Sequence, residues 1–291
     1  ISAEASNKWS NGLRLYNGPN DQPFTKKPTV AKHPSQLTNG NGVNRLVYAG
    51  TGAFLSKGDD DDTSSQSFVA VWDNTEKDGT LSSNISRNQL QTITTSEVTG
   101  EFAETARVFN DISIDWASKK GWVVDLPDIK ERATNPPAVV GGFVFFNSIV
   151  PDNTVPCVAG GFGWLYSLNL ENGSSPKAPL FDINFDGKID AGDQVSVVGG
   201  TPNTTPGGLK FENGLPRESK FVGTVRITPG TGGVDNKFDD DGNILPPGVD
   251  IEPGTGDSDG TVNNGDNGGG TVTDPFVIPK QPGRLTWKEV R

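Results

Sequence analysis

Glycine and proline set the strongest constraint on how this chain can fold. Together they make up about a fifth of it, with 37 glycines and 21 prolines in 291 residues. Both residue types interrupt helices and mark turns, so they favour short strands with tight connections. No segment shows the apolar periodicity of an amphipathic helix. We therefore predict an all-β protein.

Short runs rich in β-branched and aromatic residues recur along the chain, bounded by Gly, Asn, Asp and Pro. Repeated short strands of this kind are typical of a β-sandwich, a barrel or a propeller. Two runs within 137–146 are joined through Gly141 and Gly142, which predicts a hairpin. The other strands predicted from such runs are 43–49, 67–72, 112–116, 121–126 and 163–170.

The apolar content divides the chain into three parts. Residues 1–230 hold the predicted strands and form the β-body. Residues 231–280 are an acidic insertion rich in Gly, Asp and Asn, and 253–273 contain too little apolar surface to offset the entropy of ordering, so we expect them to be flexible. Residues 281–291 regain strand character and are expected to form a closing strand.

Charge and residue counts exclude several classes of protein. A net charge of −11 disfavours nucleic-acid binding, and no apolar run is long enough to span a membrane. The single cysteine, Cys157, excludes a disulfide framework within the chain, and we expect a buried thiol or a pair with a cysteine elsewhere. The single histidine, His33, is expected to be an incidental loop residue. Because the chain starts at Ile1 without Met, we expect a fragment or a processed product.

One segment, residues 182–193, has the pattern of a metal site. Oxygen-bearing side chains occupy loop positions 1, 3, 5, 9 and 12, and glycine occupies position 6, which is the spacing of an EF-hand calcium loop. Carboxylates this close repel one another unless a cation joins them, although a solvated acidic turn is the alternative. Because the flanking runs 179–181 and 195–198 resemble strands, we predict an EF-hand-like loop between strands. The predicted Ca²⁺ ligands are Asp182, Asn184, Asp186, the Lys188 backbone carbonyl, Asp190 and Asp193.

Other conspicuous residues have simpler interpretations. The acidic runs at 58–62 and 239–243 lack the alternation that would direct oxygens to one centre, so we predict solvated loops. The tryptophans lie inside strand patterns and are expected to pack in the core.

Six segments resemble, in the same order, stretches of the C-terminal domain of the PilY/PilC family of type IV pilus tip-associated proteins. This resemblance implies a β-propeller, or the C-terminal part of one, within a longer exported protein. The segments are 22–28 (QPFTKKP), 47–55 (VYAGTGAFL), 66–73 (QSFVAVWD), 121–132 (GWVVDLPDIKER), 145–165 and 283–289 (GRLTWKE).

The resemblance also implies a function. Proteins of this family are implicated in pilus biogenesis, in opposing pilus retraction and in surface adhesion, and a calcium loop modulates some of these roles. The ligand role would fall on the residues of the 182–193 loop. The implied location is the pilus tip or cell surface of a Gram-negative bacterium. The implied partners are pilus subunits (minor pilins) and a host or abiotic surface, with no enzymatic activity.

Two alternatives remain open. Quinoprotein-type dehydrogenases are propellers whose strand ends resemble residues 164–173. Their cofactor needs a calcium with an open position, whereas ligands contiguous in one loop saturate the ion locally. A dockerin-like module needs two such loops on helices, and this sequence contains one.

Overall fold

The computed structural model describes residues 14–35, 44–74, 84–99, 105–152, 160–184, 188–195, 204–212, 214–222, 225–231 and 271–275. These residues form strands and three single-turn 3-10 helices at Asp59–Asp61, Arg87–Gln89 and Ala191–Asp193. The strands are β1 (Tyr16–Asn17), β2 (Thr29–Lys32), β3 (Arg45–Gly50), β4 (Ser67–Asp73), β5 (Ile85–Ser86), β6 (Gln91–Ile93), β7 (Thr95–Thr99), β8 (Thr105–Phe109), β9 (Gly121–Asp125), β10 (Ala138–Val140), β11 (Phe143–Asp152), β12 (Gly160–Asn169), β13 (Gly208–Phe211), β14 (Lys220–Val222), β15 (Val225–Pro229) and β16 (Thr271–Pro275). The regular secondary structure of the described part of the chain is therefore almost entirely β, as predicted.

The strands form two large and two small sheets. One large sheet has five strands in the order β2-β3-β4-β9-β6, and the other has six in the order β10-β11-β12-β13-β8-β7. Neighbouring strands are antiparallel except for β6 beside β9 and β1 beside β5. Strands β14, β15 and β16 form a third sheet. Over the described ranges no sheet closes on itself, and no helix there is long and apolar enough to cross a membrane.

The two large sheets share one aromatic core. Phe68 of β4 stacks on Phe146 of β11, with ring centroids 3.7 Å apart and planes 6° apart. Phe146 in turn stacks on Tyr166 of β12 at 4.5 Å. Burying stacked rings removes a large apolar area from water and so stabilises the packing of the two sheets. The tryptophans buried in this core, as predicted, are Trp72, Trp122 and Trp164.

Strands predicted from continuous apolar runs are confirmed. Strand β4 is buried along almost its whole length because it lies between β3 and β9 in the centre of its sheet. The hairpin is confirmed as well, since Val140 pairs with Phe143 across the two glycines. Gly141 and Gly142 have φ values of 60° and 91°, which glycine adopts without strain and which a tight hairpin turn requires.

The prediction of a strand at 112–116 is wrong, because these residues are not in a strand. Ile112, Ile114 and Trp116 pack partly buried against the core, which explains their period of two. However, the Ile112 carbonyl accepts a hydrogen bond from the Asn172 side chain rather than from a neighbouring strand. The Asp115 carboxylate then accepts bonds from the backbone of residue 117 and the hydroxyl of residue 118, which closes a turn.

The strands predicted beside the 182–193 loop are also not formed as expected. Residues 179–181 are not a strand, because Leu180 and Phe181 are buried in two different apolar clusters. Of the run 195–198, Val195 makes an isolated bridge with Thr204, and 196–198 lie outside the described residues.

The polar segment from residue 232 to the end of the chain is described at one strand. Residues 271–273, the end of the stretch predicted to be flexible, lie in β16, which pairs with β15. Residues 253–270 and the predicted closing strand at 281–291 lie outside the described residues, as does the acidic run at 239–243.

A buried ionic cluster ties the six-stranded sheet to the loop after β9. Arg107 of β8 is fully buried, and its Nη1 donates to both carboxylate oxygens of Glu131, at 3.0 and 2.8 Å. Tyr166 and Ser148 donate to the same carboxylate from β12 and β11. Arg107 Nη2 lies 2.9 Å from Asp128 Oδ2. A charge this deep in the protein is tolerated because it is both paired and hydrogen-bonded.

His33 lies in the loop after β2, as predicted, but its side chain is buried, so the expectation that it is incidental is wrong. Its side chain is inaccessible to solvent and lies edge-on to Trp116 at 4.2 Å and beside Trp72 at 5.4 Å. Burial lowers the pKa of this imidazole from 6.5 to about 4, because the apolar surroundings disfavour the charged form. His33 is therefore neutral in the folded protein at neutral pH.

Replacing Glu131 with Gln is expected to destabilise the fold by about 3 kcal/mol, because it leaves Arg107 buried with only partly exposed carboxylates nearby. Urea denaturation measures the change. Glu97→Gln is the matched control, since Glu97 approaches the same guanidinium at 3.6 Å but is half exposed. We expect less than about 1 kcal/mol for that variant. Equal losses in the two variants would contradict a dominant role for the buried pair.

His33 predicts a pH dependence of stability. Its pKa is lower in the folded than in the unfolded state, so the unfolded chain binds the extra proton between pH 6.5 and about 4. Stability contributed by neutral His33 should fall as the pH falls through that window, by on the order of 3 kcal/mol in total. Denaturation curves of the native chain and of His33→Gln at each pH isolate this contribution, because the carboxylates titrate in both. An NMR titration of this single histidine that gave a pKa near 6.5 would refute the prediction.

Candidate functional site

The 182–193 loop is anchored on the six-stranded sheet. Phe181 and Ile183, at its start, are buried in an apolar cluster with Leu165 of β12, and Val195, just beyond its end, joins the same cluster. Apolar anchors therefore hold both ends of the loop against one sheet.

Asp193 joins the two arms of the loop. Its side chain is fully buried. Oδ1 accepts backbone hydrogen bonds from Ile183 at 2.9 Å and from Asn184 at 3.4 Å, and Oδ2 accepts one from Asp190 at 2.8 Å. A carboxylate has about four acceptor positions, so three backbone donors leave about one for a cation. Asp193, at position 12, therefore holds the loop together and can still bind a cation through a single oxygen.

The side chains of Asn184 and Asp190 both lie close to Gly192. A methyl group on Gly192 would sit 2.9 Å from Asn184 Nδ2 and 3.2 Å from Asp190 Oδ1. Asp190 also caps the 3-10 turn that follows, by accepting a hydrogen bond from the Gly192 amide at 2.8 Å. The sequence pattern identifies the glycine at position 6 but not Gly192. The signal that could have identified Gly192 is a small residue between the ligand positions 190 and 193.

The other predicted ligands are placed as follows. Asp182 is partly buried, with Oδ1 shielded from solvent, and Lys188 is exposed. Asp186 lies outside the described residues. Within the described ranges, no three side chains of His, Cys, Asp or Glu are gathered closely enough to hold a metal ion. The described donors are nonetheless hard oxygens of the type that calcium prefers.

The acidic run at 58–62 forms a different kind of loop. The Asp59 carboxylate accepts bonds from the Leu55 and Ser56 amides at 2.6 and 3.0 Å, and Asp62 accepts one from the Ser64 amide at 2.9 Å. These backbone donors lower the pKa of both carboxyl groups. Each carboxylate thus serves its own turn instead of converging on a common centre.

Arg132 holds this acidic loop to the rest of the protein. Its Nη1 donates to the Ala53 carbonyl at 2.9 Å and also to that of Asp59, and Nη2 donates to the Asp62 carbonyl at 2.7 Å. Nε donates to the Lys130 carbonyl at 3.0 Å. The neighbouring residue, Glu131, is the acceptor for buried Arg107. Segment 121–132 is one of those that resemble the PilY/PilC family, and the structure shows the contacts that its Glu131 and Arg132 make.

Comparisons with known proteins agree with this structure. No family model matches the chain. The PilY1 homolog of Xylella fastidiosa, a type IV pilus biogenesis factor, is 27% identical over 159 residues, which cover 53% of this chain. PilY1 of Pseudomonas aeruginosa strain UCBPP-PA14 is 27% identical over 226 residues, which cover 68% of the chain. The matched segments span 10% and 19% of those two proteins.

A solved structure shares the fold. The crystal structure of the Pseudomonas aeruginosa PilY1 C-terminal domain superposes with a TM-score of 0.57 and 20% sequence identity. The match covers 71% of this chain and 43% of that domain. The chain is therefore similar in sequence to the PilY1 proteins of type IV pilus biogenesis, and its described residues share the fold of part of the PilY1 C-terminal domain.

Proposed function

We propose that the chain is a non-enzymatic, calcium-binding domain of a type IV pilus biogenesis protein, exported to the pilus tip and cell surface of a Gram-negative bacterium. The observation that carries this proposal is the match to PilY1 in both sequence and fold, over about two thirds of the chain in each case. The resemblance read from the sequence adds an ordered set of segments, which a chance similarity of one motif would not produce.

Three observations support calcium as the ligand of the 182–193 loop. Oxygen donors occur at the spacing of a calcium loop. The Asp193 carboxylate holds the two arms together, and the Asn184 and Asp190 side chains both lie close to Gly192. Bound calcium would supply the positive charge that offsets repulsion among the loop carboxylates. Because the donors are contiguous in one loop, we propose a structural or regulatory ion with no position kept open for a substrate.

We also propose that the two large sheets are blades of a propeller. Both are mainly antiparallel, and they share a single aromatic core through Phe68 and Phe146. Blades of a propeller are sheets that pack in this way around an axis. The finer roles in biogenesis, in control of retraction, and in adhesion to a host or abiotic surface follow from the family resemblance, as do minor pilins as partners.

Localisation and partners can be tested together. Immunogold labelling with an antibody against this domain should mark the ends of pili, and the domain should retain pilus subunits from solubilised pili on an affinity column. Gold particles spread along the cell body, with no pilus subunit retained, would contradict the proposed role at the tip.

Calcium should stabilise the native chain and fail to stabilise Asp190→Ala. If the dissociation constant is about 10⁻⁵ M, about 1 mM calcium should add about 2.7 kcal/mol to the free energy of unfolding. Thermal melts with calcium and with chelator measure this difference. Taking the difference for each variant removes the direct effect of losing the Asp190 cap, which lowers stability under both conditions.

Asp61→Ala is the matched control, because it makes the same chemical change in the 58–62 loop, where the exposed Asp61 carboxylate lies 3.4 Å from Lys130 Nζ. The calcium-dependent shift should persist in this variant. If native melts with calcium and with chelator coincide, the loop does not bind calcium. If Asp61→Ala abolishes the shift, the ion binds elsewhere.

A further inference from the structure

A groove opens on the outer face of the five-stranded sheet. It has a volume of about 190 Å³ and a mainly apolar wall. The apolar residues that line it include Val47 and Ala49 of β3, Val69 and Val71 of β4, and Leu15, Tyr16 and Phe24. These strand residues point away from the shared core, whose members on the same strands are the alternate residues.

Apolar side chains at the edge of the groove remain in contact with solvent. Phe24 is 43% exposed and Val30, which pairs with Val47 across β2 and β3, is 51% exposed. The segment that carries Phe24 is fixed, since Phe24 bridges to Gly52 and the Thr25 hydroxyl donates to the Gly52 carbonyl at 2.7 Å. The exposed ring is thus held in place beside the groove.

Cations surround this apolar surface. Lys26 lines the groove. On the row next to Val30 and Val47, Lys32 lies directly opposite Arg45. Like charges opposite each other across antiparallel strands are destabilising. Asp73 faces Arg45 from the other side, which leaves the row with one excess positive charge. Among the described residues, no carboxylate lies within salt-bridge distance of Lys26 or Lys32.

Two features indicate which class of ligand would fit. The cavity is smaller than the roughly 300–1,000 Å³ typical of small-molecule pockets and suits one or two apolar side chains. The chain carries a net charge of −11, which repels polyanions such as nucleic acids. A short segment with a few carboxylates avoids most of that repulsion and still reaches the local cations. A like-charge pair across two strands disfavours the fold, and local choices of this kind are expected at functional sites.

We propose that this face, defined by Phe24, Lys26, Val30, Lys32 and Val47, binds an extended polypeptide segment of a partner protein that combines apolar and acidic side chains. An apolar side chain enters the groove, and flanking carboxylates pair with Lys26 and Lys32. This interaction goes beyond the proposed function and does not require calcium. Its failure would therefore leave calcium binding and the pilus assignment untouched.

The test uses the full chain and a fluorescent peptide in which Phe and Leu alternate with Glu. Fluorescence anisotropy should show saturable binding at low ionic strength that weakens as salt is added. A peptide with Ser in place of Phe and Leu, and a peptide with Lys in place of Glu, should each bind at least about tenfold more weakly. Equal binding of all three peptides, or binding of none, would overturn the proposal.

Variants locate the binding surface. Lys32→Glu should weaken binding at least about tenfold, yet its melting temperature should not fall, because the repulsion with Arg45 is replaced by attraction. Val30→Thr, which keeps strand preference, should also weaken binding. Lys177→Glu is the control, since Lys177 is 86% exposed and makes only a 3.7 Å surface pair.

Two results would place the interaction elsewhere. If Lys177→Glu loses as much affinity as Lys32→Glu, binding reflects overall charge and the proposed face is refuted. If anionic lipid vesicles bind through Lys32 while the peptide does not, the face recognises a lipid surface and the polypeptide proposal is refuted.

Discussion

The structure depends on two adjacent residues of opposite charge, Glu131 and Arg132, in the connection between β9 and β10. Glu131 is buried and neutralises Arg107, which would otherwise be a charge without access to water. Arg132 donates to four backbone carbonyls and fixes the acidic 58–62 loop. Buried backbone carbonyls need donors, and a guanidinium supplies several in one plane. The connection between β9 and β10 therefore contacts the six-stranded sheet through Glu131 and holds the acidic 58–62 loop through Arg132.

The strands that could be predicted from sequence are those whose residue composition matches their position in the sheet. Strand β4 is a continuous run of apolar, β-branched and aromatic residues, and such a run is stable only between two neighbouring strands. The hairpin between β10 and β11 followed from a pair of glycines that can adopt left-handed φ values. In both cases, the local pattern leaves few other structures available.

Other features could not be predicted, because an apolar pattern in the sequence shows that residues are buried. It does not show which group each residue packs against or bonds to. Residues 112–116 alternate as a strand does, and they do face the core, but an Asn172 side chain takes the place of a neighbouring strand. Arg107 and His33 look like exposed polar residues in the sequence, yet both are fully buried. In the 182–193 loop, the spacing predicted which oxygens are candidate ligands. The hydrogen bonds that Asp193 accepts from both arms could not be predicted, because they depend on how the loop closes.

The two proposed binding sites lie on different sheets of one packed core. The 182–193 loop is anchored on the six-stranded sheet, and the groove with its cations lies on the outer face of the five-stranded sheet. Anomalous scattering from crystals grown with calcium tests the proposed metal site most directly. We predict one peak, about 2.3–2.6 Å from oxygens of the six predicted ligands, Asp182, Asn184, Asp186, Lys188 (backbone carbonyl), Asp190 and Asp193. Diffraction data from such crystals with no peak at this loop, or with the calcium bound at other residues, would contradict the assignment.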